Sequence, residues 1–533
     1  MVASAKPRDE RRDDGLGVIH SSLITLGLAI LPASRSSESP EADTLARRMA
    51  GGAAWTLLAF AAGKFLGFGT NIALARLLDP ADFGVVSFAM VLIGAFLLLQ
   101  DLGVGAAIVY TKADIGKIGG TALTINLATA SALFVATALI SGAISAFSDA
   151  DELAAIVTVL ALGLVATAAG SVQAALLTKE LAFRRKFLPD VLPLLLSGIV
   201  SIALALLGYG VWSLVWGYLT KSVSATFALW LIAPARPRPQ FDRQIASDLL
   251  RYGRHISLSS VIGFAVQNID YFIVGHRLGT AALGLYTLAF TVASLPSTIV
   301  GQQIATATFP AYTRLRSAPV TLTKLFGDTF TITCALAIAL GAAICIGMPS
   351  LIGPLLGEKW LGIIGPLQIL TIFGVVRAIE FTFSPLYRAI GRPEIMWKSS
   401  AVRLIIVTPA LFWGAGRSIE SVAAVQVVVG LIFIPVNGLI LARLLGLGTR
   451  GLWRLLLPQL LGLVALGAVI AAGYGAPVSR VAVGHPVGAT VLAALAIAAQ
   501  WAVLVWWNPA LLARCVESPR IVQLRRRLGG GQH

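Results

Sequence analysis

Eight polar or charged side chains stand inside stretches that are otherwise apolar. Lys64 lies in "AAGKFLG" and Lys221 in "GYLTKSVSATF", and neither has an acid on its own stretch. Asp101 follows Gln100 at the end of another. "AVQNIDYFIVG" carries Gln267, Asn268 and Asp270, the first and last at i, i+3 and therefore on one helical face. "GVVRAIEFTFSPLY" places Arg377 and Glu380 at the same spacing, where they can neutralise each other within one helix. Each ionisable group in the middle of a bilayer span costs about 2.5–3.5 kcal/mol on insertion scales, and such groups mark a pathway for polar cargo or ions. Two central lysines point toward an anion. Cys334, Cys345 and Cys515 form no CxxC pair and no HExxH occurs, so neither a metal site nor a disulfide framework is expected.

The stretches themselves identify the solvent. The chain has 533 residues, 57% hydrophobic and 12% charged, with a mean hydropathy of +0.84. A soluble domain carries about 25% charged residues, and a span needs ~20 mostly apolar ones. Fourteen apolar runs fit this description: 53–75, 84–110, 118–147, 153–177, 191–208, 211–233, 256–275, 283–310, 328–349, 363–389, 401–415, 419–442, 452–473 and 487–507. Their lack of strict alternation favours helices over barrel strands. Lys and Arg segregate to alternate connections, with Arg184, Arg185, Lys186, Arg236, Arg243, Arg388 and Arg392 on one side. Only Arg76, Arg277, Lys359, Arg417 and Arg480 lie on the other. By the positive-inside rule both termini are cytoplasmic. The net charge of +16 is thus a topology signal, and no nucleic-acid partner is implied.

One corner is written twice. "ALARLLDPADFGVVSFAMVL" (Ala73 to Leu92) and "GHRLGTAALGLYTLAF" (Gly275 to Phe290) superpose at an offset of about 200, with Leu78 on Leu278, Ala81 on Ala281, Gly84 on Gly284 and Ala89 on Ala289. In the first copy Asp79 suits an N-cap, Pro80 the first helical position and Asp82 the acid of a capping box. A repeated helix–corner–helix makes runs one to six and seven to twelve two copies of one bundle, a parallel repeat about an axis along the membrane normal. The expected fold is an all-α polytopic membrane protein of about 14 transmembrane helices, with two pseudo-symmetric six-helix lobes around a central cavity plus two C-terminal helices. The expected divisions are a cytoplasmic leader that is disordered or started too early (1–48), an N-lobe (49–233), an amphipathic linker (234–255), a C-lobe (256–445), a last helix pair (446–508) and a basic cytoplasmic tail (509–533). In the linker, Phe241, Ile245 and Leu249 share a face suited to the headgroup plane.

"ARLLDPADFGVVSFAMVLIGAFLLLQDLGVGAAIV", "AFRRKF", "LLRYGRHISLSSVIGFAVQNIDYFIVGHRLGTAALGLY" and "FPAYTRL" resemble bacterial polysaccharide-biosynthesis flippases of the MOP superfamily, in the Wzx-type, exopolysaccharide branch. The resemblance implies a transporter of the bacterial inner membrane that turns an undecaprenyl-pyrophosphate-linked oligosaccharide from the cytoplasmic to the outer leaflet. It also implies membrane lipid as a partner, and a polymerase and a chain-length regulator acting on the product. Such a cargo calls for a hydrated groove with cations for the diphosphate and polar groups for the sugars. Lys64, Lys221 and Arg377, with Gln267 and Asn268, are the candidates for binding it. Asp101, Asp270 and Glu380 are the candidates for H+ or Na+ coupling, and no bound cofactor is expected. A multidrug antiporter or a lipid II flippase would share the fold. A membrane polymerase or glycosyltransferase would need a long outer loop with catalytic acids, and "LIGPLLGEKWLG" (Leu351 to Gly362) holds only Glu358 and Lys359.

Overall fold

The computed structural model describes residues 40–101, 115–140, 152–180, 182–233 and 236–446, with positions 105, 108, 457 and 461 beside them. The expected last helix pair and both chain ends lie outside the described residues. Within them the chain is helical throughout. The first group comprises α1 (Pro40–Leu77), α2 (Pro80–Asp101), α3 (Ile115–Leu139), α4 (Leu153–Lys179), α5 (Phe183–Leu206) and α6 (Trp212–Ile232). Here α1 packs on α5, α5 on α6, and α4 on α2, α3 and α6. The second group begins with α7 (Arg243–Ala293), which continues through a π-helical turn (Pro296–Gly301) into α8 (Gln302–Arg314). Then come α9 (Pro319–Leu356), a 3-10 turn (Glu358–Ile363), α10 (Ile364–Phe381), α11 (Phe383–Ala389), α12 (Glu394–Ala415) and α13 (Ile419–Leu444). In this group α10 packs on α9 and α13, and α7 on α10 and α12.

Ten stretches among the described residues are long and apolar enough to cross a membrane. One of them, Ser260–Arg314, runs from α7 through the π-helical turn into α8 and bends at Gly279, whose φ of 84° breaks the helical path of α7. A positive φ is open to glycine without a Cβ penalty, so the second corner needs no loop. The 21 residues of α6 are not among the ten; Lys221 and the hydroxyls of Thr220, Ser222, Ser224 and Thr226 dilute its hydropathy. Apolar side chains on the outside of the bundle, such as Phe65 (80% exposed) and Ile405 (74%), fit hydrocarbon and would be anomalous in water.

The first corner has the expected local chemistry. The Asp79 backbone N–H donates to the Asp82 carboxylate at 3.0 Å, which is the returning half of a capping box. The two corners then meet. A Cβ built on Gly84 would fall on the backbone carbonyl of Thr280, and one on Gly284 would fall on the carbonyl of Pro80. Residues 80 and 280, like 84 and 284, are equivalent under the sequence offset, so the contact is reciprocal about a pseudo-two-fold axis. Farther along α2, Phe88 stacks on Phe272 with ring centroids 5.6 Å apart, and Phe264 covers Gly94. Small residues that let backbones touch are the usual means of helix association where no hydrophobic driving force exists.

The amphipathic segment before the second group forms the first turns of α7. Asp242 caps it, accepting from the backbone N–H groups of Gln244 at 2.9 Å and Ile245 at 3.1 Å. Ile245 and Leu249 pack on Ile118, Leu123 and Leu176 of α3 and α4, while Phe241, ahead of the cap, is exposed. The helix runs on without interruption to the corner, so its apolar face is used against protein.

Substituting Gly84→Val or Gly284→Val forces the two corners apart. We expect each to lower thermal stability in detergent by more than the ~1–3 kcal/mol typical of overpacking, because the obstacle is backbone. Gly67→Ala, where a Cβ meets nothing within 4 Å, should leave the melting temperature unchanged or slightly raised.

Candidate functional site

The polar residues of the second group converge. Asp270, 1% exposed, is held by three donors: the Tyr286 hydroxyl at 2.7 Å, the Gln426 amide at 2.9 Å and the Tyr271 backbone N–H at 3.0 Å. This carboxylate therefore ties together both arms of α7 across the Gly279 corner, and α13. One turn earlier, Gln267 accepts from the Arg377 guanidinium at 2.8 Å, joining α7 to α10. Its amide nitrogen donates to the Gly263 carbonyl at 3.2 Å. Asn268 donates to the Phe264 carbonyl of its own helix at 2.9 Å.

Arg377 and Glu380 do not pair as their spacing allowed. Glu380 takes both carboxylate oxygens to Arg403 of α12, at 2.6 and 2.9 Å. Both partners are largely buried, with side chains 13% and 14% exposed. Arg403 also lies against the rings of Phe373 and Phe433. Both contacts come from one terminal nitrogen of Arg403, a charge-assisted pairing across helices, and it leaves Arg377 to Gln267 and the face of Phe381. Sequence reasoning missed Arg403, Tyr286 and Gln426. Arg403, an arginine three residues into an apolar run, was the available signal.

In the first group the two lysines have different surroundings. Lys64 is exposed, its ammonium 5.6 Å from the Phe60 ring centroid. It shares a face of α1 with Phe68 and Asn71 at i, i+4 and i+7. Those two residues line an apolar crevice against Leu288, Thr291, Met348 and Leu351 of the second group. Lys221 is also exposed. The lipid stripe of α6 consists of Trp216, Val223, Phe227 and Leu231, and at 3.6 residues per turn Lys221 sits about 120° away from its centre. It shares that inner side with Tyr218, while Gly163 and Ser201 mark the flanking contacts with α4 and α5. Asp101 closes α2 and accepts from the Gly105 backbone N–H at 3.2 Å, a local role. No group of three or more metal-ligating side chains occurs among the described residues.

Residues 73–365 match the polysaccharide biosynthesis protein family. The chain is 25% identical to the lipopolysaccharide biosynthesis protein WzxC of Escherichia coli K12 over 402 residues, covering 75% of this chain and 81% of that one. It is 22% identical to the succinoglycan biosynthesis transport protein ExoT of Rhizobium meliloti over 370 residues, covering 69% and 75%. In fold it is similar to the lipid II flippase MurJ in an inward closed conformation, with a TM-score of 0.69 at 14% identity over 85% of this chain and 99% of that one.

If Glu380 is neutralised by Arg403, removing either partner alone leaves a buried charge uncompensated. Arg403→Ala and Glu380→Ala should each cost about 3–5 kcal/mol, whereas the double change to Met at both positions should be close to neutral. Arg377→Ala should cost markedly less than Arg403→Ala. Thermal melting of the purified protein in detergent measures all four.

Proposed function

The chain belongs to the polysaccharide biosynthesis protein family, and from that membership we propose that it flips polyprenyl-pyrophosphate-linked oligosaccharides across the bacterial inner membrane for export as a surface polysaccharide. The Lys and Arg distribution supports reading the corner face as the outer one and both termini as cytoplasmic. The polyprenyl tail stays in lipid while the diphosphate and sugars cross between the two helix groups. A diphosphate in a low-dielectric passage needs cations that are not already spent on protein acids. Lys64 and Lys221 meet that condition. Both stand inside apolar runs, Lys64 on the crevice face of α1 and Lys221 off the lipid stripe of α6, and among the described residues neither forms an ion pair. This is the observation that carries the reading, and a cation-drug antiporter, whose passage would be lined by acids, fits it less well.

Arg377, fixed by Gln267, is a third cation within the second group, and with Asn268 it supplies hydrogen-bonding groups for the sugars. Among the three candidate coupling acids Asp270 is the best suited to bind H+ or Na+. Its side-chain donors, Tyr286 on the far arm of the corner and Gln426 on α13, are neutral, so a change in its charge acts on those two helices and on its own arm at once. Glu380 is committed to Arg403 and Asp101 to local backbone. A polymerase and a chain-length regulator would take up the flipped repeat units on the outer side.

Replacing Lys64 and Lys221 together by Ala should abolish the surface polysaccharide and accumulate its lipid-linked repeat unit, with the protein still in the membrane at normal abundance. Arg at both positions should restore export in part. Undiminished polymer in the double Ala variant would remove this assignment.

A further inference from the structure

The two helix groups are tied by a set of polar contacts that neither the capping of the first corner nor the binding of a cargo requires. Arg76, in the last turn of α1, donates from Nε to the Leu355 carbonyl at 2.7 Å and from a terminal nitrogen to the Pro354 carbonyl. Those carbonyls belong to the last turn of α9 and have no partner within their own helix. In return, the Trp360 indole N–H donates to the Ala75 carbonyl, in the last turn of α1, at 2.7 Å. Trp360 is fully buried and meets Phe83 edge to face at 5.3 Å. Lys359 adds an ion pair to Asp79 at 3.2 Å. Each group thus caps a helix end of the other. These contacts join the end of α1 and the first corner to the end of α9 and the turn that follows it. The crevice beside Asn71 opens directly beneath.

We propose that reciprocal capping of α1 and α9 by Trp360 and Arg76 is the latch that holds the passage shut on the corner face, and that it must part before cargo can leave there. The proposal rests on the two-sided passage described above, but it concerns the gate and is independent of which anion passes. Arg76, whose position alone suggests only an orientation signal, is the principal element. Its positive charge meets the negative end of α9, and it satisfies two backbone acceptors with one side chain. Trp360 is both donor and plug. The Lys359–Asp79 pair is exposed, and pairs of that kind contribute little, so it guides the two ends together more than it holds them.

The test is the reaction of a cysteine at position 71, introduced as Asn71→Cys, with a membrane-impermeant maleimide added from outside to intact cells. The protein without the reporter serves as the blank for its own three cysteines, of which Cys334 and Cys345 are buried. Removing the charged donor with Arg76→Ala should speed labelling by about tenfold, and Trp360→Phe, which keeps the ring and loses the N–H, by roughly fivefold. Lys359→Ala should change it by less than about threefold. Unaltered labelling in both Arg76→Ala and Trp360→Phe, with each protein present in the membrane at normal abundance, overturns the latch. A second arm bridges Asp79→Cys and Lys359→Cys with a short bis-maleimide. Cross-linked protein should stop exporting polymer and protect position 71, and export at the uncross-linked rate would equally overturn it. Because labelling reports the gate and the lysine variants report the cargo, the two ideas fail separately.

Discussion

Everything else in the fold depends on two glycines touching two carbonyls. Gly84 against Thr280 and Gly284 against Pro80 bring the corners of the two halves to backbone distance, which no larger residue permits. In lipid there is no water to expel between helices, so such contacts must come from close packing and from polar groups already dehydrated. With the corners so near, the Trp360 indole reaches the end of α1 and Arg76 reaches the end of α9. Phe88 meets Phe272 farther along the same seam. The pseudo-two-fold relation means that one geometric solution serves both halves, with a left-handed glycine at 279 doing in the second copy what the capped Asp79–Pro80 turn does in the first.

Charge is distributed unevenly across that axis. The second half keeps its ionisable groups occupied: Glu380 with Arg403, Asp270 with Tyr286 and Gln426, and Arg377 with Gln267. These contacts join α7, α10, α12 and α13, and each would be costly to leave half made. In the first half Lys64 and Lys221 have no acid partner among the described residues, and buried polar groups form helix–helix bonds such as Thr226 to the Ala166 carbonyl and Trp230 to the Ala169 carbonyl. Among the described residues no acid offsets the lysines' insertion cost. On the function proposed above, an anionic cargo entering between the halves would offset it only while bound, which suits a carrier that must release what it binds.

Much of this was legible in the sequence, and what was not has definite causes. The repeated corner was readable because a tight approach restricts residue type at each position, so Gly84 and Gly284 persist at the offset of 200. Helical runs were readable because a span must be long and apolar. The partner of Glu380 was not readable, since an i, i+3 neighbour and a residue on an adjacent helix are equivalent candidates until the helix order in space is known. Arg403 was absorbed into the run it opens. Arg76 reads as an orientation signal because the carbonyls it meets are backbone, and backbone acceptors have no residue code. Tyr286 and Gln426 look like ordinary helix residues until the Gly279 bend brings Tyr286, and the packing of α13 brings Gln426, onto Asp270.

The kind of bond at the corner matters for movement. A buried ion pair across the halves would resist separation, because each charge would be left in hydrocarbon as the other withdrew. Helix-end carbonyls and an arginine at the membrane edge can exchange their mutual bonds for water with little net cost per bond. The glycine contacts behave similarly, as they interlock no side chains and leave flat backbone surfaces when they part. Strong ionic pairing is thus kept inside one half, where helices move together, and exchangeable pairing is placed between halves, where they must come apart.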